Sequence, residues 1–216
     1  MKRLSRAEQN DRNRGLLLDA ARSIFLAQGY HGATVDKIAD EAGFSKGAVY
    51  SQFGNKADMF LALLDQSIDE RLRDNAERAL QLSGEHDLVA LVQQFAARQS
   101  ADREWGLLLI EFRAHASRDP ELNSRYAAAH ERTIRGLAAI LTGLYERAGL
   151  EPPLPAADLA QLLLALSAGM QLEQAAIPGA MEAPVRDKVL TRIMAAPGAR
   201  EHGSLRSPTS PEEGPR

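Results

Sequence analysis

The sequence predicts an all-α protein of about nine helices. Nearly every apolar stretch repeats with a 3.6-residue period, and none alternates as a half-buried strand does. Capping residues, glycines and prolines punctuate the chain at helix-length intervals.

In the first helix Leu17, Ala20, Ala21, Ile24 and Phe25 fall on one stripe, and Gly29 supplies the stop. Thr34 suits the N-cap of a short second helix whose Val35, Ile38, Ala39 and Ala42 follow the i, i+3, i+4, i+7 pattern; Gly43 ends it. Ser45 caps a third helix, Lys46 to Gln52, closed by Gly54. Asn55 caps a fourth, with Asp58 near its positive end and Phe60, Leu64, Ile68 and Leu72 on one face; it runs to about Gln81, before Ser83-Gly84. A fifth is expected over Asp87 to Gln99 and a sixth over Arg103 to Ser117, the latter with a stripe of Trp105, Leu108, Leu109 and Phe112. Asp119-Pro120 reads as an N-cap followed by a first-turn proline, opening a seventh helix to about Ala148. Gly149, Pro152, Pro153 and Pro155 separate it from an eighth, Ala156 to Ala175, apolar around much of its circumference. After the Ile177-Pro178-Gly179 turn, Pro184 to Met194 forms the ninth. From Pro197 onward little can be buried, so 197–216 is expected to be a disordered tail.

Composition narrows the chemistry. With no cysteine, disulfides, thiolate metal sites and cysteine nucleophiles are excluded. The five histidines, His31, His86, His115, His130 and His202, show no metal-motif spacing, and there is no glycine-rich phosphate loop. Neither a metal, a cofactor nor enzymatic activity is therefore expected; a helical enzyme is the distant alternative. The longest apolar stretch, Leu159 to Met170, is too short to span a bilayer, and the basic start, Met1 to Arg6, is followed by polar residues rather than a signal core. No membrane association and a cytoplasmic location are the resulting expectations. Net charge is −3, but residues 1–60 hold nine Lys/Arg against seven Asp/Glu, which permits a small basic face on an acidic body.

The informative stretch is Gly32 to Lys56: two short helices joined by a tight Ala42-Gly43-Phe44-Ser45 turn, the size and punctuation of a helix-turn-helix. Val49 and Phe53 point inward, leaving Ser45, Lys46, Gly47, Ala48, Tyr50, Ser51 and Gln52 outward. Gly47 and Ala48 allow close approach to base edges, while Lys46 and Gln52 have hydrogen-bonding reach. Thr34 and Ser45 stand at helix N-termini, where hydroxyl, free N–H groups and dipole favour a phosphate.

Thr34, Ile38-Ala39, Gly43, Ser45-Lys46-Gly47, Tyr50, Phe53 and Lys56 fall in the order and spacing that resembles the DNA-binding domain of the TetR family of bacterial transcriptional regulators. The resemblance covers about residues 12–64. It implies phosphate contact by Tyr50 and Lys56 and base contact by Lys46 and Gly47. Ser51 and Gln52 depart from the aromatic residue and histidine common at those positions.

The resemblance also implies a flexible basic N-terminus (1–11), a DNA-binding domain (12–55) and a helical ligand-binding and dimerisation domain (56–196). The implied function is a homodimeric repressor released from a palindromic double-stranded DNA operator by an unidentified small molecule. A transcriptional activator or a ligand-independent regulator is the alternative on the same fold. Candidate ligand contacts are Trp105, Glu111, Phe112, His115, Tyr126 and Gln171. Candidate dimer-interface residues are Leu159, Leu162, Leu163, Leu166, Met170, Val189 and Ile193.

Overall fold

A computed structural model describes residues 5–80, 102–180 and 182–194. Within them are eight helices and no strand: α1 (Arg6–Gly32), α2 (Val35–Ala42), α3 (Lys46–Phe53), α4 (Lys56–Leu80), α5 (Arg103–Ala116), α6 (Pro120–Ala148), α7 (Ala156–Ala176) and α8 (Ala183–Met194). The helix expected over Asp87 to Gln99 and the tail at 197–216 lie outside the described residues.

Helix α1 begins earlier than expected, so residues 6–11 are helical rather than a flexible lead. The reason is a capping box: Ser5 Oγ accepts from the Glu8 amide at 3.2 Å, and the Ser5 amide donates to Glu8 Oε2 at 2.7 Å. These hydrogen bonds favour the charged carboxylate and hold the Glu8 pKa below its usual value. At the other end Gly29 breaks the helix with φ 70° and ψ 171°. A side chain there would suffer backbone strain, and its Cβ would lie 2.8 Å from the Glu111 carboxylate.

The helix-turn-helix closes by local chemistry. Thr34 Oγ1 accepts from the Lys37 amide at 3.3 Å and Ser45 Oγ from the Ala48 amide at 3.2 Å. Between them Gly43 takes the left-handed conformation that terminates α2. Asp119 likewise caps α6, accepting from the Glu121 and Leu122 amides ahead of the Pro120 turn.

The core does not part at residue 55. One cluster runs from α1 through α2, α3, α4 and α5 into the first half of α6; a second joins the rest of α6 to α7 and α8. An aromatic column crosses the expected boundary. Phe25 meets Phe60 edge-on at 5.2 Å, Phe60 stacks on Phe112 at 4.0 Å, and Tyr30 meets Phe112 at 4.9 Å. Phe25, Phe60 and Phe112 are wholly buried, each contributing roughly 1.5–3 kcal/mol through burial. The helix-turn-helix thus shares a continuous core with the first part of the body.

Candidate nucleic-acid interface and cavity

Helix α3 buries Val49 and Phe53 and exposes Ser45, Lys46, Gly47, Tyr50 and Ser51, with Ala48 and Gln52 half-buried. Because Ser45 and Thr34 accept helix amides through oxygen, each hydroxyl keeps its proton for an incoming acceptor. The Lys46 ammonium is 2.7 Å from Asp36 Oδ1; hydrogen bonding and the attraction of that carboxylate raise its pKa. Both partners are exposed, so the pair opens at little cost.

Three candidate DNA contacts, Ser51, Gln52 and Lys56, hydrogen-bond within the protein. Gln52 donates from its amide to Asn10 Oδ1, while Arg14 donates to the Gln52 carbonyl at 3.2 Å and covers the Phe53 ring at 4.3 Å. The unforeseen start of α1 is therefore what grips the end of α3. Lys56 Nζ donates to the Tyr30 and Ala33 carbonyls at 2.8 and 3.0 Å and stands 4.5 Å above the Tyr30 ring. Partial burial lowers its pKa, opposed by Glu111. Lys56 thereby fastens the start of α4 to the end of α1. Ser51 donates to the Ala48 carbonyl at 2.8 Å, another internal bond.

A cavity of about 180 Å³ lies among α4, α5, α6 and α7. Of the candidate ligand contacts, Trp105, Tyr126 and Gln171 line it. Glu111, Phe112 and His115 are absent from its lining. At about 100° per residue, Trp105, Leu109 and Arg113 share the cavity face of α5; Glu111 and His115 turn away from it, and Phe112 lies at its edge beside Trp105. Phe112 is consumed by the aromatic column, and His115 packs at 5.0 Å from Tyr30 and 5.2 Å from His31. Glu111 accepts from the Tyr30 and His31 amides, both at 3.0 Å.

The lining also contains residues that composition alone did not single out. Arg71 pairs with Asp102 at 3.0 Å, and Tyr126 stacks on His130 at 6.0 Å. Burial raises the Tyr126 pKa and lowers that of His130; the positive field of Arg113 opposes the first and adds to the second. Ser67 and Ser167 are buried lining residues whose hydroxyls have no hydrogen-bond partner among the described residues. Gln171 lies so close to Gly106 that a Cβ there would overlap its side-chain amide.

The outer face of α7 and α8 is apolar. Leu162, Leu172, Val185 and Val189 are 41, 48, 54 and 39% exposed, with Leu166 and Ile193 half-buried beside them. Leu159, Leu163 and Met170 instead face inward in the second core cluster, against residues that include Leu141, Leu144 and Leu190. They back this face without forming its surface, because α7 is apolar around much of its circumference and one side of it must cover α6.

Residues 17–63 match the family described as bacterial regulatory proteins, tetR family, and residues 84–196 match the BetI-type transcriptional repressor C-terminal family. The chain belongs to the tetR family. Its α2–α3 unit is that family's helix-turn-helix, set on an all-helical body. Among curated tetR-like relatives, the HTH-type transcriptional activator FasR of Mycolicibacterium smegmatis is 46% identical over 59 residues, 27% of either chain. The HTH-type transcriptional repressor AcnR of Corynebacterium diphtheriae is 29% identical over 118 residues, 55% of this chain and 57% of that one. The chain therefore matches between about a quarter and somewhat over half of these relatives' own length. FadR from Bacillus subtilis in complex with stearoyl-CoA has the same fold, with a TM-score of 0.67 at 18% identity over 84% of this chain and 97% of that one. A regulator from Saccharomonospora viridis in complex with choline aligns at TM-score 0.66 and 19% identity over 83 and 94%. Among the described residues no helix is long and apolar enough to cross a membrane.

Proposed function

We propose that this tetR-family chain acts in the cytoplasm as a homodimeric repressor, holding a palindromic operator with α3 of each protomer and releasing it when a small molecule fills the cavity. The carrying observation is the two-sidedness of α5. Trp105, Leu109 and Arg113 line the cavity, while Glu111 on another face holds the amides at the end of α1. A ligand that binds better to one setting of α5 shifts the population of dimers whose recognition helices are correctly spaced.

The exposed apolar face of α7 and α8 is the natural seat of the second protomer, since a two-fold dimer matches half-sites roughly 34–36 Å apart or a multiple of it. Ser45, Lys46, Gly47 and Tyr50 meet the operator, and the hydroxyls of Thr34 and Ser45 donate to its phosphates. Repression is favoured over activation by the match to a repressor C-terminal family. The neighbours' ligands, an acyl-CoA in one and a quaternary ammonium in the other, are too different in charge to name the effector by likeness.

Fluorescence anisotropy with DNA from the gene's own upstream region tests the DNA side. Binding should weaken steeply with added salt, and Lys46→Ala should weaken it further while leaving the fold intact. A salt-independent interaction, or full affinity in the Lys46→Ala protein, would overturn the assignment of α3.

A further inference from the structure

We infer that the cavity takes a compact apolar molecule, about one aromatic ring in size, that ends in a carboxylate, with Arg113 as the group that meets the charge. The inference rests on the reading of this cavity as the effector site. Its walls are apolar, including Leu64, Ile68, Leu109, Ile110, Leu137 and Leu164. Its volume, about 180 Å³, slightly exceeds the roughly 150 Å³ of a dry cavity that accepts benzene. A single ring with a short polar extension fits that space.

The charges choose the sign of the extension. Among the described residues the cavity is lined by three formally charged side chains, Arg71, Asp102 and Arg113. Asp102, the sole carboxylate of the three, is 3.0 Å from Arg71 and so is already matched. Arg113 has no ion-pair partner among the described residues and sits exposed at the edge of the lining. Among the described lining residues a cation entering this space meets an unpaired guanidinium and no free carboxylate. An anion meets that guanidinium together with Tyr126 and His130, one helical turn apart on α6. Neither the Tyr126 hydroxyl nor the His130 ring has a hydrogen-bond partner among the described residues, and both can donate to a carboxylate oxygen. All three line the same cavity, and the positive field of Arg113 reaches both of the others.

Trp105 is the chain's single tryptophan and lines the cavity, so its fluorescence reports occupancy without DNA. The full-length protein is titrated at constant ionic strength with phenylacetate, 2-phenylethanol and phenethylammonium, which share a ring and differ in charge. Attraction for the anion and repulsion of the cation are each the size of an exposed ion pair, so together they predict about a tenfold preference for phenylacetate over phenethylammonium, with the alcohol between. Arg113→Gln should collapse that spread to about twofold, leaving the alcohol's affinity unchanged, and Arg113→Lys should restore most of it. Equal or tighter binding of phenethylammonium, or an undiminished preference in Arg113→Gln, would overturn the anion assignment while leaving the cavity as a ligand site. If none of the three alters Trp105 fluorescence, the cavity is not a site for such molecules, and both this inference and the effector reading fall.

Discussion

Glu111 offers the sharpest test of how the cavity is tied to the DNA-binding head. Its carboxylate accepts the Tyr30 and His31 amides at 3.0 Å each, beside the Gly29 break in α1. Hydrogen bonds to a charged group contribute about 1.5–3 kcal/mol apiece, so two set an upper bound of roughly 3–6 kcal/mol. Glu111 is only half-buried and the His31 contact is exposed, so water can replace part of what is lost. A net destabilisation of about 2 kcal/mol is therefore expected for Glu111→Ala. With a urea dependence of roughly 2 kcal/mol per molar, the unfolding midpoint should fall by about 1 M. Glu111→Gln retains one acceptor oxygen but brings an amide donor against the second backbone N–H, so it should lie between wild type and alanine. Hydrogen exchange at the Tyr30 and His31 amides supplies the local readout: both should exchange faster in Glu111→Ala, whereas amides in the middle of α6 should follow only the global change. An unchanged midpoint together with unchanged exchange at these two amides would refute the role assigned to the carboxylate.

Lys56→Met keeps an apolar stem but opens two bonds to the Tyr30 and Ala33 carbonyls; equilibrium unfolding should show a loss of about 1–2 kcal/mol, and the salt slope of operator binding should stay the same. A slope reduced by about one would instead make Lys56 a phosphate contact. Leu162→Glu with Val189→Glu places charges on the exposed face of α7 and α8; sedimentation should show monomers with unchanged helicity, and an undisturbed dimer would put the interface elsewhere. His130 has a folded-state pKa below its ordinary 6.5, chiefly through burial, so the unfolded chain takes up its proton first as pH falls. Its contribution is present above about pH 6.5 and lost as pH drops through the folded value; His130→Asn should flatten the decline in urea stability between about pH 7 and 5, and an identical decline would refute it.

What was legible in the sequence follows the reach of each signal. Caps and periodicity are local, so the bounds of α2, α3 and α6 agree with Thr34, Gly43, Ser45, Gly54 and Asp119 within a residue. Ser5 and Glu8 carried an equally local signal for the start of α1, but a basic, polar stretch without an apolar stripe reads more readily as a loose lead than as helix. That segment finds its stabilising partners elsewhere, with Asn10 and Arg14 meeting Gln52 and Phe53 across the fold. Lys56 shows the same limit. Its spacing fits a phosphate contact, but whether its ammonium faces outward or onto the Tyr30 carbonyl depends on where the end of α1 lies, which no pattern within α4 specifies.

The faces of α5 pose that problem most clearly, and their separation carries the functional reading. Trp105, Leu109 and Arg113 form one apolar-to-cationic stripe, and Leu108, Phe112 and His115 form another of nearly the same character. Periodicity shows that α5 is buried on more than one side without showing which side borders empty space. Only the neighbouring helices decide it: the aromatic column fills the volume beside Phe112, whereas beside Trp105 the close approach of Gln171 to Gly106 and the small residues Ser67, Ser167 and Ala168 help leave a cavity. Cavity lining and head contact are then made by different faces of one helix of 14 residues. Regular helix geometry allows little internal play over that length, so a ligand that shifted the Arg113 end of α5 would carry Glu111 with it. The strength of regulation should accordingly depend on a carboxylate that no ligand touches.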